Sequence, residues 1–257
     1  MANTVFDNKV IEAKAKNLLA TSLNFRSLMT IDTELAESEG MVKTINVYTY
    51  NGKVEKLADG EKNTVRGAIS FIGKDYRVQR AQQVFDYKDS DFLKDSHVVD
   101  YSLKGANELM TNEMTADFIA EAKKATLTAP CATFGYEAIV DGIAKLRVED
   151  ESTLFIVAPT DWKAELRLDE DYKVARMGDV VYNGQTATVA GIPVIYSNAL
   201  TDEAFVMNKE AIKLFVKKDV EVEQDRDIET KVNTVALTSY YICALVDDTK
   251  IVKIVKE

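Results

Sequence analysis

The sequence contains few of the residues from which catalytic and metal centres are commonly built. Among 257 residues there is one histidine, His97, and there are two cysteines, Cys131 and Cys243. A Ser-His-Asp triad would have to use His97, and a histidine-rich metal site is excluded. The cysteines form no CxxC pair, so we expect free, buried thiols in a reducing compartment. We therefore predict no catalytic residue, no metal and no cofactor.

The sequence also lacks long apolar runs and an excess of positive charge. No stretch approaches the ~20 apolar residues of a membrane span, and the amino terminus has no signal-peptide pattern, so we expect the protein to stay where it is made. With 32 Lys and Arg against 42 Asp and Glu, the formal net charge is −10. A protein that grips nucleic acid through its phosphates is disfavoured, unless its basic residues gather on one face. The length allows one or two domains.

Two segments in the first half have the periodicity of amphipathic helices. Residues 8–23 suit a short helix, or an arm that becomes ordered against a neighbour. Residues 96–124 carry apolar side chains at steps of three and four, and predict a helix on the order of 40 Å long. We expect Pro130 to end this helix, and we interpret His97 as an ordinary residue at its start.

Between these helices, residues 41–87 predict an extended β ribbon with a charged tip. The pair Asn51–Gly52 is typical of a tight hairpin turn, and Asp59–Gly60 is a second turn signal. The strands predicted after these turns cover 65–72 and 76–85, with an interruption at 73–75. A ribbon of this length buries too little surface to be stable alone, so it needs a partner surface.

The remainder of the chain alternates helix and strand, which predicts a mixed α and β fold. A helix is predicted over 136–146, and the apolar run 153–158 is typical of a strand buried on both faces. Residues 159–162 are interpreted as a turn, with Thr160 or Asp161 capping a helix that ends at Leu168. The further predicted elements are a hairpin over 180–189 with its turn at Asn183–Gly184, strands over 192–196, 204–207, 220–223, 232–244 and 251–255, and a short helix or turn over 209–214.

The order of these elements resembles that of the major capsid proteins of tailed bacteriophages. Four segments carry the detailed likeness: the apolar strand and turn 154–162, the Gly-apolar-Pro-Val strand within 189–200, the strand and short helix 205–212, and the alternating segment 220–227. The resemblance implies an α+β fold with an N-terminal arm, an extended β-hairpin loop, a peripheral domain with a long spine helix, and an α/β axial domain. The expected bounds are 1–40 for the arm, 41–87 for the loop, 88–130 for the peripheral domain, 131–215 for the axial domain, and 216–257 for the return to the peripheral sheet and axial domain.

The resemblance also implies a function. A major capsid protein self-assembles through hexamers and pentamers into an icosahedral phage head around double-stranded DNA, as a virion component assembled in the cytoplasm of a bacterial host. The implied partners are copies of the same chain, a portal, and in some members a separate scaffolding protein. DNA would be contacted non-specifically at most, and no membrane is involved. Because the arm is short, we do not expect a long, cleaved scaffolding domain.

Some members of the family join neighbouring subunits through a covalent bond between lysine and asparagine, assisted by glutamate. Residues of these types occur here as Lys56, Lys62, Asn233 and Glu229. No spacing among them fixes that chemistry, and solvated surface residues are the simpler interpretation.

The ribbon supplies the candidate contacts between subunits. Its tip carries charged side chains that suit inter-subunit ion pairs, each worth about 0–1 kcal/mol. Its strands carry apolar side chains that a neighbouring copy would bury. The candidates are Glu55, Lys56, Asp59, Glu61, Lys62, Ile69, Phe71 and Phe85.

Two other functions are compatible with the sequence. An encapsulin-type nanocompartment would share the fold and enclose enzymes in place of DNA. A small α/β enzyme or binding domain would have its site near 159–162, but the sequence has neither a phosphate-binding glycine loop nor a GxSxG motif. The carboxylates at 169–171 and 225–229 are interpreted as solvated loops. Trp162 is expected to pack in the core, on the strand formed by 154–157.

Overall fold

The protein is described here by a computed structural model, which covers residues 11–15, 25–37, 39–148, 150–175 and 188–256. Of the predicted 8–23 helix only residues 11–15, which are helical (α1), are described, and the hairpin turn predicted at Asn183–Gly184 lies outside the described residues. The following elements are, in chain order, β1 (Thr30–Asp32), α2 (Glu34–Glu37), β2 (Val42–Asn51), β3 (Ala68–Arg77), β4 (Gln79–Lys88), α3 (Asp89–Lys94), α4 (Val98–Ala122), β5 (Thr128–Cys131), α5 (Tyr136–Leu146), β6 (Leu154–Pro159), α6 (Lys163–Leu168), α7 (Glu170–Ala175), β7 (Thr188–Val189), β8 (Ile192–Ser197), β9 (Glu203–Asn208), β10 (Ile212–Asp227), β11 (Val232–Leu245) and β12 (Ile251–Lys256).

The long strands β10 and β11 form the centre of a four-stranded sheet with the order β1-β10-β11-β4. Helix α4 packs across this sheet. Its apolar positions at steps of three and four, including Leu103, Met110 and Phe118, are buried against the strands. At ~1.5 Å per residue the 25 residues of α4 span about 37 Å. The predicted long helix is therefore confirmed.

The second large sheet of the chain is mixed and has six strands, in the order β5-β12-β9-β6-β8-β7. All six residues of β6 are buried, which confirms the prediction of a strand covered on both faces. Helix α5 packs on this sheet through the buried residues Ile139 and Ile143. Trp162 is 5% exposed, and its ring lies 5.1 Å from that of Phe134, so its prediction as a core residue is confirmed.

Strands β2 and β3 form a separate antiparallel pair, which we call the ribbon together with the loop that joins them (residues 42–77). The pairing runs without interruption from Val42 opposite Arg77 to Asn51 opposite Ala68. The residues between the strands, 52–67, are called the tip loop below. The chain turns at Asp59–Gly60, where Gly60 has a φ of 93°, and not at Asn51–Gly52. The turn predicted at Asp59–Gly60 is therefore confirmed, and the hairpin turn predicted at Asn51–Gly52 is wrong.

The bounds of the ribbon also differ from the prediction. The interruption predicted at 73–75 is wrong, because Gly73 pairs with Asn46 in the middle of β3. The break falls instead at Val78, whose side chain is buried. The following strand, β4, pairs with β11 and so belongs to the four-stranded sheet and not to the ribbon.

Three local signals were overridden by tertiary contacts. The predicted helix or turn at 209–214 is wrong from Ile212 onward, because β10 begins there and pairs with strands on both sides. Pro130 does not end α4 but lies in the edge strand β5, where a missing N–H donor is tolerated. No side chain caps the 3₁₀ turn Thr160–Trp162 or helix α6, so the predicted cap is wrong, although that helix does end at Leu168.

Candidate functional site

The ribbon is anchored to the rest of the chain by a small apolar cluster at its foot. The buried members are Leu35, Val78, Phe215 and Ala244. Tyr76 of β3 stacks on the Phe215 ring at 5.7 Å, and its hydroxyl donates a hydrogen bond of 3.1 Å to the carbonyl of Leu245. The foot therefore fixes the direction in which the ribbon leaves the four-stranded sheet.

Beyond its foot, the ribbon exposes large apolar side chains on both faces. Ile69 is 55% exposed, and Phe71 and Ile72 are each 64% exposed. Ile69 and Phe71 are two residues apart in one strand and share a face, whereas Ile72 points to the opposite face. Removing such apolar surface from water stabilises a fold or a complex by roughly 25 cal/mol per Å². Most of that stabilisation is absent in the single chain and is available to a partner.

The tip loop is held in shape by its own acidic side chains. The Glu55 carboxylate accepts hydrogen bonds from the backbone N–H and the hydroxyl of Thr64, both at 2.9 Å, and these bonds lower the pKa of Glu55. The Glu61 carboxylate accepts a bond of 3.0 Å from the N–H of Ala58. Two of the predicted inter-subunit acids are therefore engaged inside the loop.

The lysines of the tip loop, unlike Glu55 and Glu61, are not bonded to other described residues of the chain. Lys56 and Lys62 are exposed, and neither forms an ion pair with any residue that the structure describes. Asp59 is also exposed, at the turn itself. The predicted charged tip therefore consists of internally bonded glutamates and outward-facing lysines.

Two glycines at the neck of the tip loop make room for the ring of Tyr50. A Cβ atom at Gly67 would lie 1.9 Å from the Tyr50 hydroxyl oxygen, and one at Gly52 would lie 2.7 Å from Tyr50 Cε1. The ring thus spans the neck where the loop leaves the paired strands. Sequence reasoning took Gly52 for a turn residue and missed this packing role.

Phe85 lies apart from the other seven candidate contact residues. It is on β4, opposite Val235 of β11, and packs against the main core of its own chain. Its burial therefore does not require a second copy. The structure brings the remaining candidates together on the ribbon.

A cavity of about 490 Å³ lies between α4 and the strands β4 and β11, and we call it the α4 groove. Its lining includes Glu113, Asp117 and Glu121, which are spaced by four residues and so share one face of the helix. Among the described residues that line it, Arg80 is the only basic one. The sequence signal for this groove is the spacing of its acids at i, i+4 and i+8, and the sequence predictions above missed it.

Asp117 is a half-buried acid of the α4 groove. Burial, with a contribution from Glu113 and Glu121, raises the pKa of Asp117, against the opposing effect of a hydrogen bond donated by the Tyr241 hydroxyl. Tyr241 itself is buried at 4% exposure. The groove therefore holds negative charge in a place where a cation would stabilise it.

The residues considered for an enzymatic or metal-binding site are either exposed or hydrogen-bonded within loops and turns. His97 stands before the first turn of α4 with its side chain 68% exposed. Asp169 accepts bonds from the backbone N–H groups of Tyr136 and Asp171. Asp227 accepts from the N–H of Glu229, in the turn between β10 and β11. In the part of the chain that is described, no group of three His, Cys, Asp or Glu residues is arranged to hold a metal ion.

The thiols and the candidate cross-linking asparagine are also placed by the structure. Cys243 is buried, and burial raises the pKa of its thiol to about 12, whereas Cys131 is only half-buried, contrary to the prediction. Asn233 donates to Asp89 at 2.8 Å, and Arg226 donates to the same carboxylate at 2.8 Å. These bonds lower the pKa of Asp89. Sequence reasoning missed this network, because its members are far apart in the chain.

Within the described ranges, no helix is both long and apolar enough to cross a membrane.

The sequence and the fold of this chain were compared with those of known proteins. No protein-family model matches the sequence. The major capsid protein of Staphylococcus phage phiMR11 is 25% identical over 252 residues, which cover 93% of this chain and 89% of that protein. The capsid structure of Cyanophage P-SCSP1u superposes with a TM-score of 0.74 at 14% identity, over 92% of this chain and 88% of that one. A virus-like particle from Pyrococcus furiosus superposes with a TM-score of 0.67 at 11% identity, over 96% and 98%. The predicted fold and the resemblance to the tailed-phage major capsid proteins are confirmed.

Proposed function

We propose that this protein is the major capsid protein of a tailed bacteriophage or prophage, a shell-building subunit that works by self-association and catalyses no reaction. The observation that carries the proposal is the ribbon, which projects from a body with its own core and exposes Ile69, Phe71 and Ile72 to solvent. A surface of this kind is useless to a monomer and useful to a closed assembly of identical chains. The full-length likeness to a phage major capsid protein supports the same conclusion.

In this proposal, the arm and the ribbon of each subunit lie on neighbouring copies, while the rest of the chain forms the wall. The proposed divisions are an arm at 1–40, an extended loop at 41–77, a peripheral domain at 78–130, an axial domain at 131–215, and a return segment at 216–257. The loop is shorter than the predicted 41–87 because β4 pairs with β11 in the four-stranded sheet. Subunits assemble through hexamers and pentamers in the cytoplasm of the bacterial host. A portal and, optionally, a separate scaffolding protein complete the head.

The proposed contacts across subunits combine apolar and charged residues of the ribbon. Ile69 and Phe71 lose their exposed surface on assembly, and Lys56 and Lys62 meet acidic groups of a neighbour. Each exposed ion pair is worth at most about 1 kcal/mol, so a shell held by many such contacts can correct a misplaced subunit. With a net charge of −10, the wall holds packaged DNA by non-specific contacts at most.

The alternative of an encapsulin-type shell is not favoured. The fold alone does not separate the two, because a phage capsid and a virus-like particle both superpose on this chain. The curated relative that matches by sequence is a phage major capsid protein, and this favours the phage head. Terminase and portal genes beside the coding sequence would support the phage head, whereas a neighbouring gene for a packaged enzyme would contradict it.

Assembly of the purified protein tests the proposal directly. We expect size-exclusion chromatography and negative-stain microscopy to show rings or closed shells. Because Asn51 pairs with Ala68, replacing residues 52–67 with a two-residue Asn-Gly turn shortens the ribbon without changing its register. This variant should keep the circular dichroism spectrum of the native subunit but form no shells. A native chain that stays a compact monomer under all assembly conditions, or a shortened chain that fails to fold, contradicts the proposal.

A further inference from the structure

The two edges of the four-stranded sheet differ in character. Residues 217–227 of β10 lie beyond the pairing with β1, and the ladder between β10 and β11 has two register shifts between Val216 and Glu221. Eight of those eleven residues are charged. The opposite edge, β4, pairs with β11 in one continuous register, and only three of its ten residues are charged. Bulges and charges keep other strands away from an edge, so the β10 edge is protected and the β4 edge is not.

The outer edge of β4 is open to another strand. Among the described residues β4 is the last strand of its sheet. About half of its backbone N–H and C=O groups therefore point away from β11. The α4 groove lies beside this edge, because residues 79–83 form part of its lining. On the face away from α4, the side chains of Gln82, Val84 and Asp86 are exposed.

The sequence of β4 is complementary to itself in one antiparallel register. Residues directly opposite each other on antiparallel strands point to the same face of the sheet. Two copies of one strand therefore pair only where the opposed residue numbers are equal or differ by an even number. With Gln83 opposite Gln83 of the second copy, Arg80 lies opposite Asp86. Moving the centre of the register by one residue places Arg80 opposite Val84 or Lys88, so the register centred on Gln83 is the one that joins opposite charges.

Arg80 and Asp86 are available for such a contact. Both are exposed, and neither forms an ion pair with any residue that the structure describes. Asp86 accepts a hydrogen bond of 2.7 Å from the Thr234 hydroxyl through one of its two oxygens. Six residues of strand separate Arg80 from Asp86, about 20 Å at ~3.3 Å per residue, so the two side chains do not meet within one chain.

We infer that the outer edge of β4 is an interface between two copies of this chain, paired antiparallel about a two-fold axis at Gln83. Arg80 of each copy pairs with Asp86 of the other, and two four-stranded sheets become one sheet of eight strands. The inference rests on the proposed function, because it names a contact of the shell that does not involve the ribbon. Icosahedral symmetry includes two-fold axes, so an interface of this kind has a place in a closed head.

Reversal of charge within this register is the first test. The variant R80E replaces two ion pairs with two like-charge contacts, and should raise the protein concentration needed for half-maximal assembly by about fivefold or more. The variant R80E/D86R restores opposite charges in the reverse orientation, and should assemble within about twofold of the native protein. The control K209E makes the same change in net charge at an exposed position between β9 and β10, and should assemble as the native chain does. Circular dichroism should show a native subunit in every variant.

A disulfide at the two-fold axis is the second test. Directly opposite residues have Cα atoms about 4.5–5.5 Å apart, within the range that a disulfide spans. In a Cys131→Ser background, Gln83→Cys should give a covalent dimer when oxidised glutathione is added, as measured by non-reducing electrophoresis. Gln79→Cys is the matched control on the same face of β4. Its two copies would lie about 26 Å apart in this register, so it should give no dimer.

The outcomes separate this inference from the proposed function. If the native chain forms shells and R80E forms them equally well, the inference is wrong and the proposed function stands. No recovery in R80E/D86R, or an equal loss in K209E, would attribute the effect to net charge and also overturn the inference. A ribbon or another partner on this edge would leave Gln83→Cys without a dimer, with the same consequence. Failure of the native chain to assemble would count against the proposed function, whereas the Gln83→Cys dimer decides the interface by itself.

Discussion

The ribbon and the body of this protein are stabilised in different ways. In β6 of the body every side chain is buried, and the buried apolar residues of α4 lie against β4, β10 and β11 of the same chain. In β3 of the ribbon nine of ten residues are exposed, although this strand is longer than β6 and is paired with β2 along its whole length. Regular hydrogen bonding is thus common to both regions, and only burial distinguishes them. The comparison shows that a single chain buries the apolar surface of its body, whereas the apolar surface of the ribbon can be buried only by another copy.

The largest effect that tests this comparison is expected from removing one aromatic ring in each region. Phe118 is fully buried, so Phe118→Ala should lower the free energy of unfolding of the subunit by about 3–5 kcal/mol. Phe71→Ala on the ribbon should change it by less than about 0.5 kcal/mol, but should weaken assembly. Urea denaturation of unassembled subunits and light scattering of the assembly reaction measure the two effects. A loss at Phe71 comparable with that at Phe118 would place the ribbon in the core of its own chain.

A smaller, pH-dependent effect is expected at Asp117. Its folded pKa is raised above that of the unfolded chain, so its contribution to stability is greatest below the unfolded pKa of about 3.9 and is lost as the pH rises through the folded value. Asp117→Asn keeps an acceptor for the Tyr241 hydroxyl and removes the charge. The variant should be more stable than the native subunit at pH 7, with the difference vanishing below about pH 4.

Denaturant unfolding at pH 7 and near pH 3.5 measures this difference in free energy. Asp59→Asn makes the same carboxylate-to-amide change at an exposed position of the tip loop, and should leave the stability of the subunit unaltered at both values. An Asp117→Asn subunit that is less stable at neutral pH would show that the ionised carboxylate is stabilising in the folded chain.

The smallest effect is expected at the neck of the tip loop. Gly67→Ala places a methyl group where the Tyr50 ring now lies, so the ring must move and the loop loses one of its constraints. The subunit should unfold within about 0.5 kcal/mol of the native one, while trypsin should cut the lysines and arginine of the loop faster. Gly105→Ala, in open space on α4, is the matched control and should leave tryptic cleavage of the loop unchanged. Equal cleavage rates in the two variants would mean that Tyr50 does not order the loop.

Elements with a strong local pattern were predictable from sequence. The apolar steps of α4, the continuous apolar run of β6 and the Asp59–Gly60 turn were all placed correctly. The predictions failed where distant residues choose the outcome: Ile212 begins a strand because β1 and β11 flank it, and Gly73 continues one because Asn46 lies opposite. Of the candidate contact residues, Phe85 could not be assigned to the body until the pairing of β4 with β11 was known.

The sequence by itself determined most of the element types, the acidic balance, the scarcity of catalytic side chains and the presence of a charged β excursion. These properties depend on composition and on patterns of two to four residues, which a single segment contains in full. Only the tertiary structure decided that Glu55 and Glu61 bond to their own loop, that the lysines are left facing outward, and that three acids of α4 line a groove. Such properties depend on contacts between residues that are far apart in the sequence. Burial and hydrogen bonding between segments determine which of these contacts form.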